Sequence, residues 1–308
     1  MADFTTVMTD SAAVDDSIIL EYDQQFLVAN EQEHVVDQFV SYKRQIGAKT
    51  IELPRYDQLA LATTPLTEKE DPASEALVDT KISITPVEYG NVVTTTKLAS
   101  LQTGGTADLA AARLVGGNAG RTTDKLGLLA MDASSNTATP TGGAEATLVA
   151  GDIMTSTFMN SIYNKLARAS VAGVADGDYV MIAHDDVIHD IRDAASAGTW
   201  IDVNKYALPG AVLRNEIGMY RGFRIVRDNH ATLTVDGGAT TVDTYRSYFM
   251  GMNALGKVVS RDAGLVLSGP FDKLGRFVNV GWLGCLKYQI VEQQALWLGI
   301  TSSSVGAN

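Results

Sequence analysis

The chain has 308 residues, 45% of them hydrophobic, with 24 Lys and Arg against 36 Asp and Glu for a formal net charge of −12. This length supports two or three packing units, while the acidic excess excludes a surface built to neutralise phosphates, which requires clustered Lys and Arg. Cys285 is the only cysteine, excluding an intrachain disulfide and a Cys-based zinc site.

Residues 1–29 begin MADFTTVMTDSAAVDD, without the basic start and apolar run of a secretory signal, and they show no sustained periodicity. They read as an extended arm. Asn30 opens an expected helix, with Glu33 completing a capping box, Val36, Phe39 and Val40 on one face, and Gly47 as the stop. Thr50 to Leu53 reads as a short strand ended by Pro54. From Val78 to Thr85 apolar and polar residues alternate as in a half-buried strand, whose expected partner is Gln58 to Thr64 across a charged link, Pro65 to Glu75. At about 3.3 Å per residue, an arm from Arg55 to a tip near Lys69 would reach roughly 45 Å.

Thr106 to Asp132 is Ala/Leu-rich and reads as a long helix despite its interior glycines. Asp152 is the expected N-cap of a second helix carrying Phe158, Ile162 and Leu166, and both helices are expected on one sheet. DYVMIA (178–183) and GFRIV (222–226) read as strands, and Asp185 to Ala195 as an amphipathic helix. Leu233 to Val242 reads as a hairpin, Tyr248 to Met252 and Leu255 to Val259 as strands, and Arg276 to Ile300 as a strand-rich return. The polar tail Thr301 to Asn308 would fray unless tied down, for which neighbouring copies are the expected anchor. No apolar run reaches membrane-spanning length, so a soluble protein made in the cytoplasm is expected.

In this order, TTPLTEKEDP, ISITPVEYGNVVTTT, AARLVGGNAGRTTDKL, DYVMIAHDDVIHDIRDA, EIGMYRGFRIVRDNHA, YFMGMNALGKVV and DKLGRFVNVGWLGCLKY resemble the major capsid proteins of tailed double-stranded DNA bacteriophages. The likeness covers roughly Ile51 to Ile300 and is nearest to the subfamily named for the phage N4 coat protein. It implies an α+β chain of the Hong Kong 97-type capsid fold, divided into an N-terminal arm (1–50), an E-loop hairpin with base strands (51–97), a peripheral domain (98–176 and 263–308, spine helix 106–132) and an axial domain (177–262). The implied role is structural, not enzymatic: hexamers and pentamers of an icosahedral shell, made in the host cytoplasm and ending in the virion. The implied partners are other copies, portal, scaffolding or decoration proteins, and nonspecifically contacted DNA. No fused scaffolding segment precedes the arm, so a separate scaffold or none is expected. The alternatives are an encapsulin-like compartment shell and a soluble α/β enzyme.

Glu68, Lys69, Glu70 and Asp71 are the expected tip that meets a neighbour. Some relatives join an E-loop lysine to a neighbour's asparagine; the nearest analogues are Lys69 and Asn279, but nothing around them singles the pair out, so a solvated Lys69 is expected. No catalytic residue, cofactor site or metal site is expected. His184 and His189 lie about 140° apart around a helix and cannot share a face. His34 and His230 read as ordinary polar positions, and Gly116 to Gly120 lacks the lysine and leading strand of a phosphate loop. Trp282, Trp297 and Tyr288 read as core of the peripheral domain, and Lys43, Arg44 and Lys49 as a solvated helix face, with a shell interior touching DNA nonspecifically as the alternative.

Overall fold

The computed structural model describes residues 23–30, 34–44, 47, 49–56, 59–66, 68, 69, 71, 74–104, 106–174, 177–193 and 216–305. Three sheets organise them. A four-stranded sheet has the order β1 (Ser41–Arg44), β11 (Leu255–Phe271), β12 (Phe277–Ile290), β4 (Val87–Thr96). A seven-stranded sheet has the path β5 (Thr137–Ala138), β13 (Leu296–Thr301), β10 (Thr244–Met250), β6 (Tyr179–Ala183), β8 (Phe223–Arg227), β7 (Glu216–Tyr220), with β9 (Leu233–Thr234) also on β10. The third is the two-stranded ribbon of β2 (Ile51–Tyr56) and β3 (Asp79–Ile84).

Helix α2 (Lys97–Thr103) follows β4, and α3 (Thr106–Asp132) has the bounds its composition predicts. Its small residues Ala111, Ala112 and Ala119 are buried against Val280 and Trp282 of the four-stranded sheet. Without bulk on that stripe the helix backbone approaches the strands closely. Near its C-terminal end Leu128 and Met131 enter the main core with Val180, Ile182, Tyr248 and Leu298, which lie on one face of the seven-stranded sheet. The opposite face, carrying Met181, Phe223, Ile225 and Phe249, is covered by α4 (Ser156–Arg168) and α5 (Asp185–Asp193). Alternate residues of β6 thus serve two different cores, as strand pleating requires. The two long helices were expected on one sheet; α3 lies chiefly on the four-stranded sheet, and where it meets the other one it is on the face away from α4.

The expected helix after Asn30 is not formed. Helix α1 covers residues 23–30, a 3-10 turn covers Val36–Phe39, and Ser41–Arg44 pairs in parallel with Gly256 to Val259. Glu33 of the expected capping box lies outside the described residues. The reason is a long-range cap: the Asp124 Oδ1 on α3 accepts from the backbone N–H of Val35 at 2.9 Å and of Val36 at 2.8 Å. Lys43 and Arg44 are therefore exposed strand residues rather than a helix face.

The partner of β3 is β2, registered Ile51 with Ile84 and Tyr56 with Asp79, rather than Gln58 to Thr64. Pro54 does not end the strand, because each member of a two-stranded ribbon has an outer edge where a missing N–H is tolerated. Thr155, not Asp152, caps α4, accepting from Phe158 N at 3.2 Å. The expected 233–242 hairpin closes later, Thr234 opposite Thr244. Strand β11 continues past Arg261 to Phe271. The run expected to return beneath the long helices splits, with β12 in the four-stranded sheet and β13 beside β10 in the seven-stranded one. Trp297 accordingly packs with the α4 and α5 layer, under the Lys165 ammonium 4.3 Å from its ring centre.

Candidate assembly surfaces

Among the described residues β2 and β3 pair only with each other. A cleft of about 700 Å³ lies between the base of this ribbon (Leu53 to Tyr56), β1 and the turn after α4 (Ala169 to Ala172). Arg55 bridges to the body through Glu292, 3.0 Å from its Nε. Beyond the base, Leu59, Leu61, Leu66, Leu77 and Val78 are all exposed, Leu61 to 87% and Leu66 to 78%. Single exposed leucines are ordinary, but this many along one short connection call for a cover. Glu68, Lys69 and Asp71 are exposed on the same connection. Glu70 lies outside the described residues.

Asn279 stands on β12 opposite Ser268, and its Oδ1 accepts from the Thr94 hydroxyl at 2.7 Å. It lines a groove of about 440 Å³ with Val92, Val266 and Leu283. The paired backbones of β4 and β12 close in at Gly90 and Gly281, where an added Cβ would sit 2.6 Å from the Trp282 carbonyl and 2.8 Å from the Asn91 carbonyl respectively. The groove is open and apolar, and Val92 is exposed on it.

Two polar clusters hold the segment after α1 to the body. Asp37 accepts from His34 Nδ1 at 2.9 Å, from Lys257 Nζ at 2.6 Å and from the Tyr288 hydroxyl at 2.5 Å. Burial would raise this carboxyl, but the His34 hydrogen bond, the Lys257 ammonium and the Tyr288 hydroxyl outweigh it and hold it well below the usual carboxylate range. The second cluster, on α3, was not anticipated from the sequence. Asp124, 2% exposed, meets Asp228, 3% exposed, and His230. Burial first, and then the Asp228 carboxyl beside it, raise Asp124 far above the usual range. Tyr288 packs between the clusters, its hydroxyl raised by burial, by Asp37 and by Asp124.

The remaining sequence motifs have structural roles. Gly116 sits where a Cβ would be 2.6 Å from the Phe26 carbonyl oxygen, so the glycine run lets α1 dock on α3 rather than cradle a phosphate. His184 Nδ1 accepts from the Asp186 backbone N–H at 3.3 Å, and the Asp186 carboxylate accepts from the Tyr245 hydroxyl at 2.9 Å. Asp190 is buried and accepts from the Ser304 hydroxyl and backbone N–H. With Ser302 N bonded to the Asp152 carbonyl at 3.0 Å and Ser303 Oγ to the Asp186 carbonyl at 3.1 Å, the chain ties residues 302–304 to itself, where neighbouring copies had been expected to. Trp282 and Tyr288 are buried as expected; Trp282 Nε1 donates to Asn118 at 2.9 Å.

No helix among the described residues is long and apolar enough to cross a membrane. No family model and no curated protein matches the sequence. Solved structures do match the fold. The capsid of Ralstonia phage GP4 aligns over 90% of this chain and 90% of its own, at 13% identity and a TM-score of 0.70. The Cyanophage Pam1 capsid aligns over 86% and 89%, at 13% identity and a TM-score of 0.63. A virus-like particle from Pyrococcus furiosus aligns over 91% and 98%, at 11% identity and a TM-score of 0.58. With alignments this nearly complete, the chain has the Hong Kong 97-type fold of phage capsid subunits.

Proposed function

We propose that this chain is a structural shell subunit, the major capsid protein of a tailed double-stranded DNA phage, which assembles as hexamers and pentamers of an icosahedral head. The observation that carries this is the β2–β3 ribbon, whose strands among the described residues pair only with each other, and its connection, which exposes Leu59, Leu61, Leu66 and Leu77. A surface of that kind on a soluble monomer is a liability, and a second copy covers it. Contacts of this sort between unlike surfaces propagate from copy to copy until a ring or shell closes. Acidic copies repel one another, so the apolar interface must outweigh that charge.

In this reading residues 1–50 are the arm and 51–97 the E-loop with its base strands. Residues 98–176 and 263–308, with α3 as the spine, form the peripheral domain, and residues 177–262 the axial domain. Portal, scaffolding or decoration proteins and packaged DNA are the further partners, the DNA held without sequence readout. Assembly takes place in the host cytoplasm, and the final location is the virion. The role needs neither turnover nor a cofactor. Placement near the N4 coat protein subfamily rests on the quoted sequence segments.

Electron microscopy of the purified protein after gel filtration, alone and with the products of adjacent genes, tests the proposal. Closed shells, tubes or hexameric rings are expected. A discrete monomer or dimer under every condition refutes it. Double-stranded DNA inside the particles supports a phage head; a protein cargo instead supports the compartment alternative.

A further inference from the structure

We propose that Asp124, Asp228 and His230 form a site for one divalent cation of the zinc or manganese class, stapling α3 to the turn after β8. One ligand atom from each residue lies within 4.8 Å of the others. Ligands around a cation at about 2 Å stand roughly 3 to 4 Å apart, so only a small closure is required. The two aspartates come from elements far apart in sequence. Their burial is independently informative because Asp124 Oδ2 and Asp228 Oδ2 are both enclosed and, among the described residues, meet no hydrogen-bond donor other than each other's carboxyl if one is protonated.

The other oxygen of each is committed. Asp124 Oδ1 accepts from Val35 and Val36, and Asp228 Oδ1 accepts from the His230 backbone N–H at 2.8 Å. The neighbouring ammonium of Lys125 is directed elsewhere, to the His230 carbonyl at 2.9 Å and the Thr232 hydroxyl at 3.1 Å. The His230 ring Nδ1 stands 3.3 Å from Asp228 Oδ1, and among the described residues no Lys or Arg reaches the two enclosed Oδ2 atoms; buried carboxylates in that state are offset by a bound cation or a proton. The imidazole favours the cation. His230 is fixed at the mouth of the cluster by its backbone bond to Asp228, its ring 35% exposed, giving an ion and its water a way in. A mixed imidazole and carboxylate set suits zinc or manganese better than calcium or magnesium, and three protein ligands leave a position for water. The bound ion would also brace the carboxylate that holds Val35 and Val36, coupling the post-α1 segment to the spine of the fold.

Metal content decides the matter. Protein stripped with EDTA is equilibrated with zinc or manganese chloride, passed through gel filtration and assayed per chain, as wild type, Asp228→Asn and His230→Ala. Asp228→Asn keeps the side-chain volume and His230 is partly exposed, so both variants retain the fold. About one ion per wild-type chain is expected, with a loss of at least tenfold in each variant. The wild type alone should gain roughly 5 °C in Tm at saturating metal. Negligible content in the wild type, or equal content in all three proteins, overturns the site; Asp228→Asn at least as stable as wild type would then assign the pair to a shared proton. Stoichiometry per chain is read whether or not the protein forms shells, so this result stands apart from the capsid proposal.

Discussion

Gly116 and Gly117 are adjacent in α3, yet the structure assigns their replacement by alanine opposite signs. At Gly117 nothing lies within 4 Å of an added Cβ. Alanine there gains the helix-propensity difference alone, about 1 kcal/mol. At Gly116 the same gain meets a Cβ 2.6 Å from the Phe26 carbonyl oxygen and 3.0 Å from the Phe26 Cα. Those are backbone atoms and cannot rotate aside, so α1 must move as a body and draw the buried Phe26 ring away from Val115, Ala119 and Trp282. Overpacking of this kind costs about 1–3 kcal/mol, which cancels or exceeds the propensity gain. Thermal unfolding of the two variants should therefore differ by about 2–5 °C, Gly117→Ala above wild type and Gly116→Ala at or below it. Amide exchange in residues 23–30 should accelerate in Gly116→Ala alone. If Gly116→Ala raises Tm as much as Gly117→Ala, α1 does not dock on α3 and the packing described here is wrong.

Asp37→Ala leaves the nearly buried Lys257 ammonium without its carboxylate and should cost about 3 kcal/mol, measured by denaturant unfolding. Because the folded-state carboxyl is held below its unfolded value near 3.9, its contribution is present above about pH 4 and lost as pH falls below that; Asp37→Asn should flatten this part of the stability profile. Replacing Leu61 and Leu66 together by serine should leave the Tm of the unassembled chain within about 1 °C, since both are exposed, and should abolish particles seen by microscopy. If Lys69 and Asn279 are joined between copies, boiled and denatured particles will run as a ladder on a gel; a monomer-sized band alone disposes of the crosslink.

The local elements of this fold were legible in the sequence. The helix 106–132, the alternating strand before Pro86 and the strands at DYVMIA and GFRIV each follow from periodicity or composition within a short window, while the order of the quoted segments spoke only through a family resemblance. The partners of those elements were not. Pro54 reads as a strand terminator until the ribbon proves to have two free edges, and Val36 and Phe39 read as a helix face until Asp124 caps the segment from α3. Strand β13 could not be told from β12 by pattern, since both are apolar runs and only their pairing separates the sheets. His230 looked solitary because Asp124 lies on a helix far back in the chain, and Asp228 two residues before it is no recognised ligand motif by itself. Hydrophobic period reports how a segment folds against a generic core. Which carboxylate meets which amide, or which glycine lies under which carbonyl, depends on long-range packing that no local window contains.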